Sequence, residues 1–317
     1  MTKHSPNSLT LLGRYSSVPA RVAGAIRPSA MALLLAALSL TAACGGGGGG
    51  AGSASGVAGT DGSVAASSGG TTTASAAMPS GAAFSCGFET TFSDCGFGEQ
   101  AKVPGRATMV NVAGVNAVRL HTEPGDNNVA GSGDSERDDL SLSQSTSDGY
   151  EGKEHWWAHS VWFPDDYIDP PISDATWNFG LVADFHNTTN GGGQANFQVQ
   201  AMPTAGISPD RPTGLSFKIA YGIQTSPTEQ VFPIGPVVRN VWYNFVYHVK
   251  WSSGSDGYID AWVNGVQKMA YRGPTLYAGQ GVYLKLADYH SAFGQASSVI
   301  HARVIRSNAP LDVSAGL

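Results

Sequence analysis

Apolar residues in this chain recur at every second position, in short runs broken by Gly, Asn, Asp and Pro. Alternation of that period is the mark of strands with one buried face. It predicts strands over 107–112, 117–121, 138–143, 155–163, 177–185, 194–201, 214–221, 242–251, 258–263, 266–271, 281–289 and 298–306. The dipeptide Asn264-Gly265, between two such runs, is a strong hairpin signal. No long stretch repeats at 3.6 residues. A dozen short strands imply an all-β domain, an antiparallel two-sheet β-sandwich of jelly-roll type. Such sandwiches often bend one sheet into a concave groove that suits an extended polymer.

The alternation is missing before residue 84. Residues 31–40 (MALLLAALSL) form an apolar run that follows basic residues and is too short to cross a bilayer. Thr41-Ala42-Ala43-Cys44 comes next, then Gly45 to Gly50. This arrangement resembles a bacterial lipoprotein signal. The resemblance implies cleavage before Cys44 and a diacylglyceryl anchor on its sulfur, with the protein held at the cell envelope, on either membrane face. An ordinary signal peptide with an incidental Cys is the plainer alternative, and Met31 is an alternative start. Residues 45–82 are Gly, Ser, Ala and Thr with almost no large apolar side chain, the composition of a flexible tether. The chain thus divides into a leader (1–44), a tether (45–82) and one folded domain (83–317). Of three cysteines, lipidation of Cys44 leaves Cys86 and Cys95, which export would join as a disulfide.

Charge narrows the partners. The formal net charge is −6, and removing the leader, with Lys3, Arg14, Arg21 and Arg27 and no acid, lowers it to −10. A net-acidic domain lacks the basic face that nucleic acid needs. The same balance weighs against a highly sulfated glycan and favours a carboxylated, unsulfated one.

Several strands carry candidate chemistry. In 177–187 (WNFGLVADFHN), strict alternation puts Asp184 and His186 on one face with Val182, and Phe179, Leu181, Ala183 and Phe185 on the other. In 281–290 (GVYLKLADYH), Tyr283, Lys285, Ala287 and Tyr289 oppose Val282, Leu284 and Leu286. In 135–140 (SERDDL), Arg137 and Asp139 oppose Glu136, Asp138 and Leu140. Asn196, Gln198 and Gln200 form a row of amides suited to sugar hydroxyls. Each set also fits a solvated strand face. His155, Trp157 and His159 read as a core strand; a metal site there lacks a third ligand.

Together these pieces resemble the jelly-roll, concanavalin A-like polysaccharide lyases, the heparin lyase I and glucuronan lyase group and the related alginate lyases. Glu136-Arg137-Asp138-Asp139-Leu140 is similar to their E-R-x-E-L strand, and Asp184-Phe185-His186 to a strand ending Q-x-H. Tyr283-Leu284-Lys285-Leu286-Ala287-Asp288-Tyr289 is similar to Y-F-K-x-x-x-Y, and Phe163-Pro164-Asp165-Asp166-Tyr167 to F/L-P-x-D-F/Y. The resemblance implies β-elimination on a uronate polymer by a monomeric enzyme without a cofactor. His186 and Tyr289 would be the acid/base pair, and Arg137 would neutralise the uronate. Lys285, Asp184, Gln198, Asn196 and Tyr283 would line the binding groove. A structural calcium on loop carboxylates such as Asp165, Asp166 and Asp169 stays open. One position departs from the family, since Asp184 stands where it has Gln. Asp184 would be protonated when substrate binds; or it would hold a cation or orient His186 while Gln198 or Asn196 supplies the amide; or the protein would be a carbohydrate-binding module without catalysis. A retaining glycoside hydrolase needs two close carboxylates, for which Asp184 and Asp139 are only a makeshift pair.

Overall fold

The computed structural model describes residues 81–126, 135–171, 178–188, 194–202 and 214–314. The leader with Cys44, and the tether up to residue 80, lie outside the described residues. Among those, fifteen strands form: β1 (Ala82–Cys86), β2 (Gly98–Ala101), β3 (Thr108–Val112), β4 (Val115–Thr122), β5 (Ser135–Ser141), β6 (Glu154–Trp162), β7 (Gly180–Asn187), β8 (Phe197–Met202), β9 (Gly214–Ile223), β10 (Ser226–Gly235), β11 (Trp242–Lys250), β12 (Tyr258–Val263), β13 (Val266–Arg272), β14 (Val282–Ser291) and β15 (Ser297–Ser307). One short α-helix among the described residues, α1 (Gln144–Ser147), follows β5, and a 3-10 turn spans Ser93–Cys95.

The strands pair antiparallel in two sheets. One runs β13-β12-β11-β6-β15-β4-β3, with β1 on β15; the other runs β10-β9-β8-β7-β14-β5-β2. All twelve alternating runs became strands. The three without a sequence signal, β1, β2 and β10, lack clean alternation. β10 carries Pro227 and Pro233 and lies mostly exposed at a sheet edge, where a missing N–H is tolerated.

The core is aromatic and lies between the sheets. Trp157, Phe185, Phe197, Phe217, Phe245 and Tyr247 are buried there, with Phe197 edge-on to Tyr247 at 5.1 Å between centroids. The expected core strand is confirmed, because Trp157 and His159 of β6 point inward. His159 shares a 2.7 Å hydrogen bond with the Tyr247 hydroxyl. Burial, helped by nearby His301, pushes the His159 imidazole down to about 3, so it is a neutral core residue. Cys86 and Cys95 are disulfide-bonded, with Cα atoms 5.5 Å apart.

Strict alternation fails in β7. Against β8 the register slips by one residue between Leu181 and Ala183, and Val182 is the extra residue of a β-bulge. Against β14 it slips in the opposite sense, with three steps from Leu286 to Tyr289 facing two in β7. Val182 and Ala183 therefore both enter the core. Leu181 pairs with Tyr289, and the Phe179 ring packs edge-on against Tyr289 at 5.1 Å. The grouping of Val182 with Asp184, and of Phe179 and Leu181 with Phe185, is thereby corrected.

Candidate active site

The outward face of β14 and its two neighbours carries the charged residues. Core-facing Val282, Leu284 and Leu286 fix the face of β14. Tyr283, Lys285, Ala287 and Tyr289 then point away from the core. Tyr283 pairs with His186, Lys285 with Asp184, Ala287 with Asp139, and Tyr289 with Arg137. Gln198 of β8 pairs with Asp184 from the other side. These side chains leave the core, yet Asp139 is only 1%, Asp184 3% and Lys285 4% exposed. A flat outer sheet face would leave such positions wet, so we read them as the floor of a groove.

Charges on this floor are interleaved. The Lys285 Nζ lies 3.1 Å from Asp139 Oδ2, and the Arg137 Nη1 lies 3.5 Å from the same oxygen. Burial works against the Lys285 ammonium, but Asp139 and then Asp184 outweigh it and hold its pKa above the usual range. The Arg137 guanidinium also sits 4.4 Å above the centre of the Tyr289 ring. Burial pushes the Asp184 carboxyl up to about 6, against the opposing pull of His186 and Lys285. Its Oδ1 is buried and has no hydrogen-bond partner among the described residues. The Tyr283 hydroxyl is raised by burial as well.

His186 is half-buried, with its ring 5.5 Å from that of Tyr283. Its Nδ1 lies 2.9 Å from the Asn187 carbonyl oxygen. A carbonyl only accepts, so Nδ1 carries a proton, and the neutral ring keeps its lone pair on Nε2. The tyrosine beside His186 is thus Tyr283. Tyr289 stands with Arg137 at the other end of the floor, six residues along β14, roughly 20 Å of strand.

The amide row is only partly on this floor. Gln198 borders Asp184, but its Nε2 donates to the Ala195 carbonyl at 2.9 Å and its Oε1 accepts from Gln200 at 2.8 Å. Asn196 is fully enclosed and donates to the Ala220 carbonyl at 3.0 Å, which ties β9 to the start of β8. Its amide is therefore a structural tie rather than a lining of the groove. The loop carboxylates do not converge either. Asp165 accepts from Asn240, Asp166 from Arg119 and Ser298, and Asp169 pairs with Arg239. Among the described residues no group of three metal-ligating side chains assembles.

Two features escaped the sequence reading. The first is the Lys285–Asp139 pair, which joins neighbouring strands. The second is a polar pocket behind the floor, where Glu136, Asp138, Asp288 and His290 are buried with Thr122. Thr122 Oγ1 donates to Asp288 at 3.1 Å and lies 2.8 Å from His290 Nε2. The signal was present, because alternation set Glu136 and Asp138 on the same side as Leu140.

The antiparallel two-sheet sandwich, with buried charges beside His186 and tyrosines on one outward face, sets the class of protein to which the comparisons point. The family model described as polysaccharide lyase matches residues 88–301, more than half of the sequence, and the chain belongs to that family. It is a polysaccharide lyase. Among solved structures it is similar to an endo-β-1,4-glucuronan lyase from the fungus Trichoderma reesei, at 14% identity and a TM-score of 0.50, over 67% of this chain and 92% of that one. It is also similar to the alginate lyase Aly36B, at 13% identity and a TM-score of 0.41, over 74% of this chain and 99% of that one. At that identity the glucuronan lyase shows the shared sandwich fold. No curated protein matches the sequence.

Proposed function

We propose that this lyase cuts a uronate-containing polysaccharide by β-elimination on the outward face of β14. The observation that carries the reading is the convergence of Arg137 and Lys285 on the buried Asp139 carboxylate, on a floor where His186 stands beside Tyr283. The C5 proton of a uronate is weakly acidic, so positive charge on its carboxylate supplies much of the rate. In the reaction His186 Nε2 takes the C5 proton, and the C5–H electrons become the C4=C5 bond. The C4–O4 bond breaks, and the Tyr283 hydroxyl, beside His186, gives its proton to O4. Lys285, whose charge acts on the Tyr283 hydroxyl, stabilises the tyrosinate left behind. Solvent then carries a proton from His186 to Tyr283, which closes the cycle without a redox step.

The net negative charge of the chain favours a carboxylated, unsulfated polymer, such as glucuronan or alginate. The likeness to a glucuronan lyase makes glucuronan the first polymer to try. Incubation of the full chain with a panel of uronate polymers should produce the ultraviolet absorbance of a 4,5-unsaturated uronate, and His186→Ala should abolish it. Binding without absorbance on any polymer would instead make the protein a non-catalytic carbohydrate-binding one.

The enzyme works as a monomer held at a bacterial envelope through lipid on Cys44. The run from residue 31 to Cys44 and the Gly-rich segment after it support this. In cells fed labelled palmitate, the chain should take up label and Cys44→Ala should not. Equal labelling of both would sink the anchor.

A further inference from the structure

We propose that Asp184 meets the substrate as a neutral acid and donates a hydrogen bond to the sugar carboxylate, so that each carboxylated ring enters this subsite together with a proton. The inference deepens the reading of the groove given above and rests on it. Its first support is geometric. Asp184 lies on the floor opposite Lys285, and its buried Oδ1 has no hydrogen-bond partner among the described residues. An unpartnered buried oxygen costs free energy unless something completes it.

The second support is charge. The groups facing Asp184 are Lys285 and Tyr283 from β14, Arg137 and Asp139 from β5, His186 from its own strand and the neutral Gln198 from β8. Lys218 of β9 is spent on Gln194 and Glu229. With Asp184 ionised, two cations face two carboxylates and nothing is left over for an anion. With Asp184 protonated, one positive charge remains for the substrate. The third support is the state of the neighbouring amide, because the Gln198 Nε2 is already committed to Ala195. An incoming carboxylate further disfavours ionised Asp184, which couples binding to proton uptake.

The test uses the full chain carrying Tyr283→Phe to prevent turnover, with a β-1,4-glucuronate tetrasaccharide as probe. Calorimetry in two buffers of different ionisation heat should show uptake of about one proton per molecule bound above the Asp184 pKa. Affinity should fall about tenfold per pH unit there. Asp184→Asn should abolish the uptake and bind with an affinity independent of pH, and Asp184→Gln should repeat this. Absence of buffer-dependent heat, pH dependence that survives in both amide variants, or no binding between about pH 5 and 8 would overturn the inference. Proton uptake without unsaturated product from any polymer would sink the elimination reading but not this one. Product without proton uptake would do the reverse.

Discussion

Tyr283 and Tyr289 share a face of β14 but keep different company. Tyr283 lies against the ring of His186, and Tyr289 lies under the guanidinium of Arg137. Only the former stands within reach of the bond that His186 would open. Tyr283→Phe should therefore lower kcat by about 10²–10⁴-fold, the usual worth of a positioned acid or base. Tyr289→Phe should act mainly on KM. Steady-state kinetics of the two variants decides the matter, and a reversed order would move the acid to Tyr289 and the base away from His186. Alternation in the sequence was enough to put both tyrosines, Lys285 and Arg137 on outward faces. It could not choose between the tyrosines, because the neighbour of each is set by strand pairing.

One element shapes the floor and another closes the start of the domain. The bulge at Val182 turns Phe179 and Leu181 toward Tyr289 while keeping Asp184 opposite Lys285. A single extra residue in β7 is invisible to a period-2 reading, since the run stays apolar on both sides of it. The second element is the start of the domain, where the disulfide from Cys86 to Cys95 spans 9 residues beside buried Phe88 and Phe97. Closing a loop of that size removes unfolded-state entropy worth about 2–3 kcal/mol. Replacing both cysteines by Ser should lower the urea midpoint by that amount of stability, with lyase activity retained at low temperature. Activity lost without any loss of stability would give the pair another role.

At the scale of the whole molecule, buried titratable groups in both sheets set the response to pH. Burial raises Asp138 to about 8, Asp288 to about 7 and Asp184 to about 6. A carboxyl raised in the folded state contributes stability that is complete below about pH 4 and lost as pH rises through the folded value. His159 and His301 act oppositely, because burial lowers them to about 3 and about 4. Their contribution is present above about pH 6.5 and is lost as pH falls. Above that point only the carboxyls still change, so the urea midpoint should fall between about pH 6.5 and 8. Asp138→Asn should flatten that fall, since its oxygen can still accept the 3.0 Å bond from the His121 N–H. A midpoint that is level or rising over this range would show that Asp138 and Asp288 are not neutral in the fold.

The sequence alone determined the sandwich, because the periodicity of a strand is local and survives without any knowledge of its partners. It also determined which faces of the strands at 135–140 and 281–290 carry Arg137, Lys285 and Tyr289, and it paired Cys86 with Cys95. Tertiary structure decided what those faces meet. Strand order put Asp139 against Lys285, and a bulge aimed Phe179 and Leu181. A local bond to Ala195 withdrew the Gln198 amide. Depth then changed the chemistry, since a carboxyl that alternation leaves on an outer face is expected to be solvated and ionised. Asp184 is on such a face but lies at the bottom of a groove, and its charge depends on water that only the assembled fold excludes.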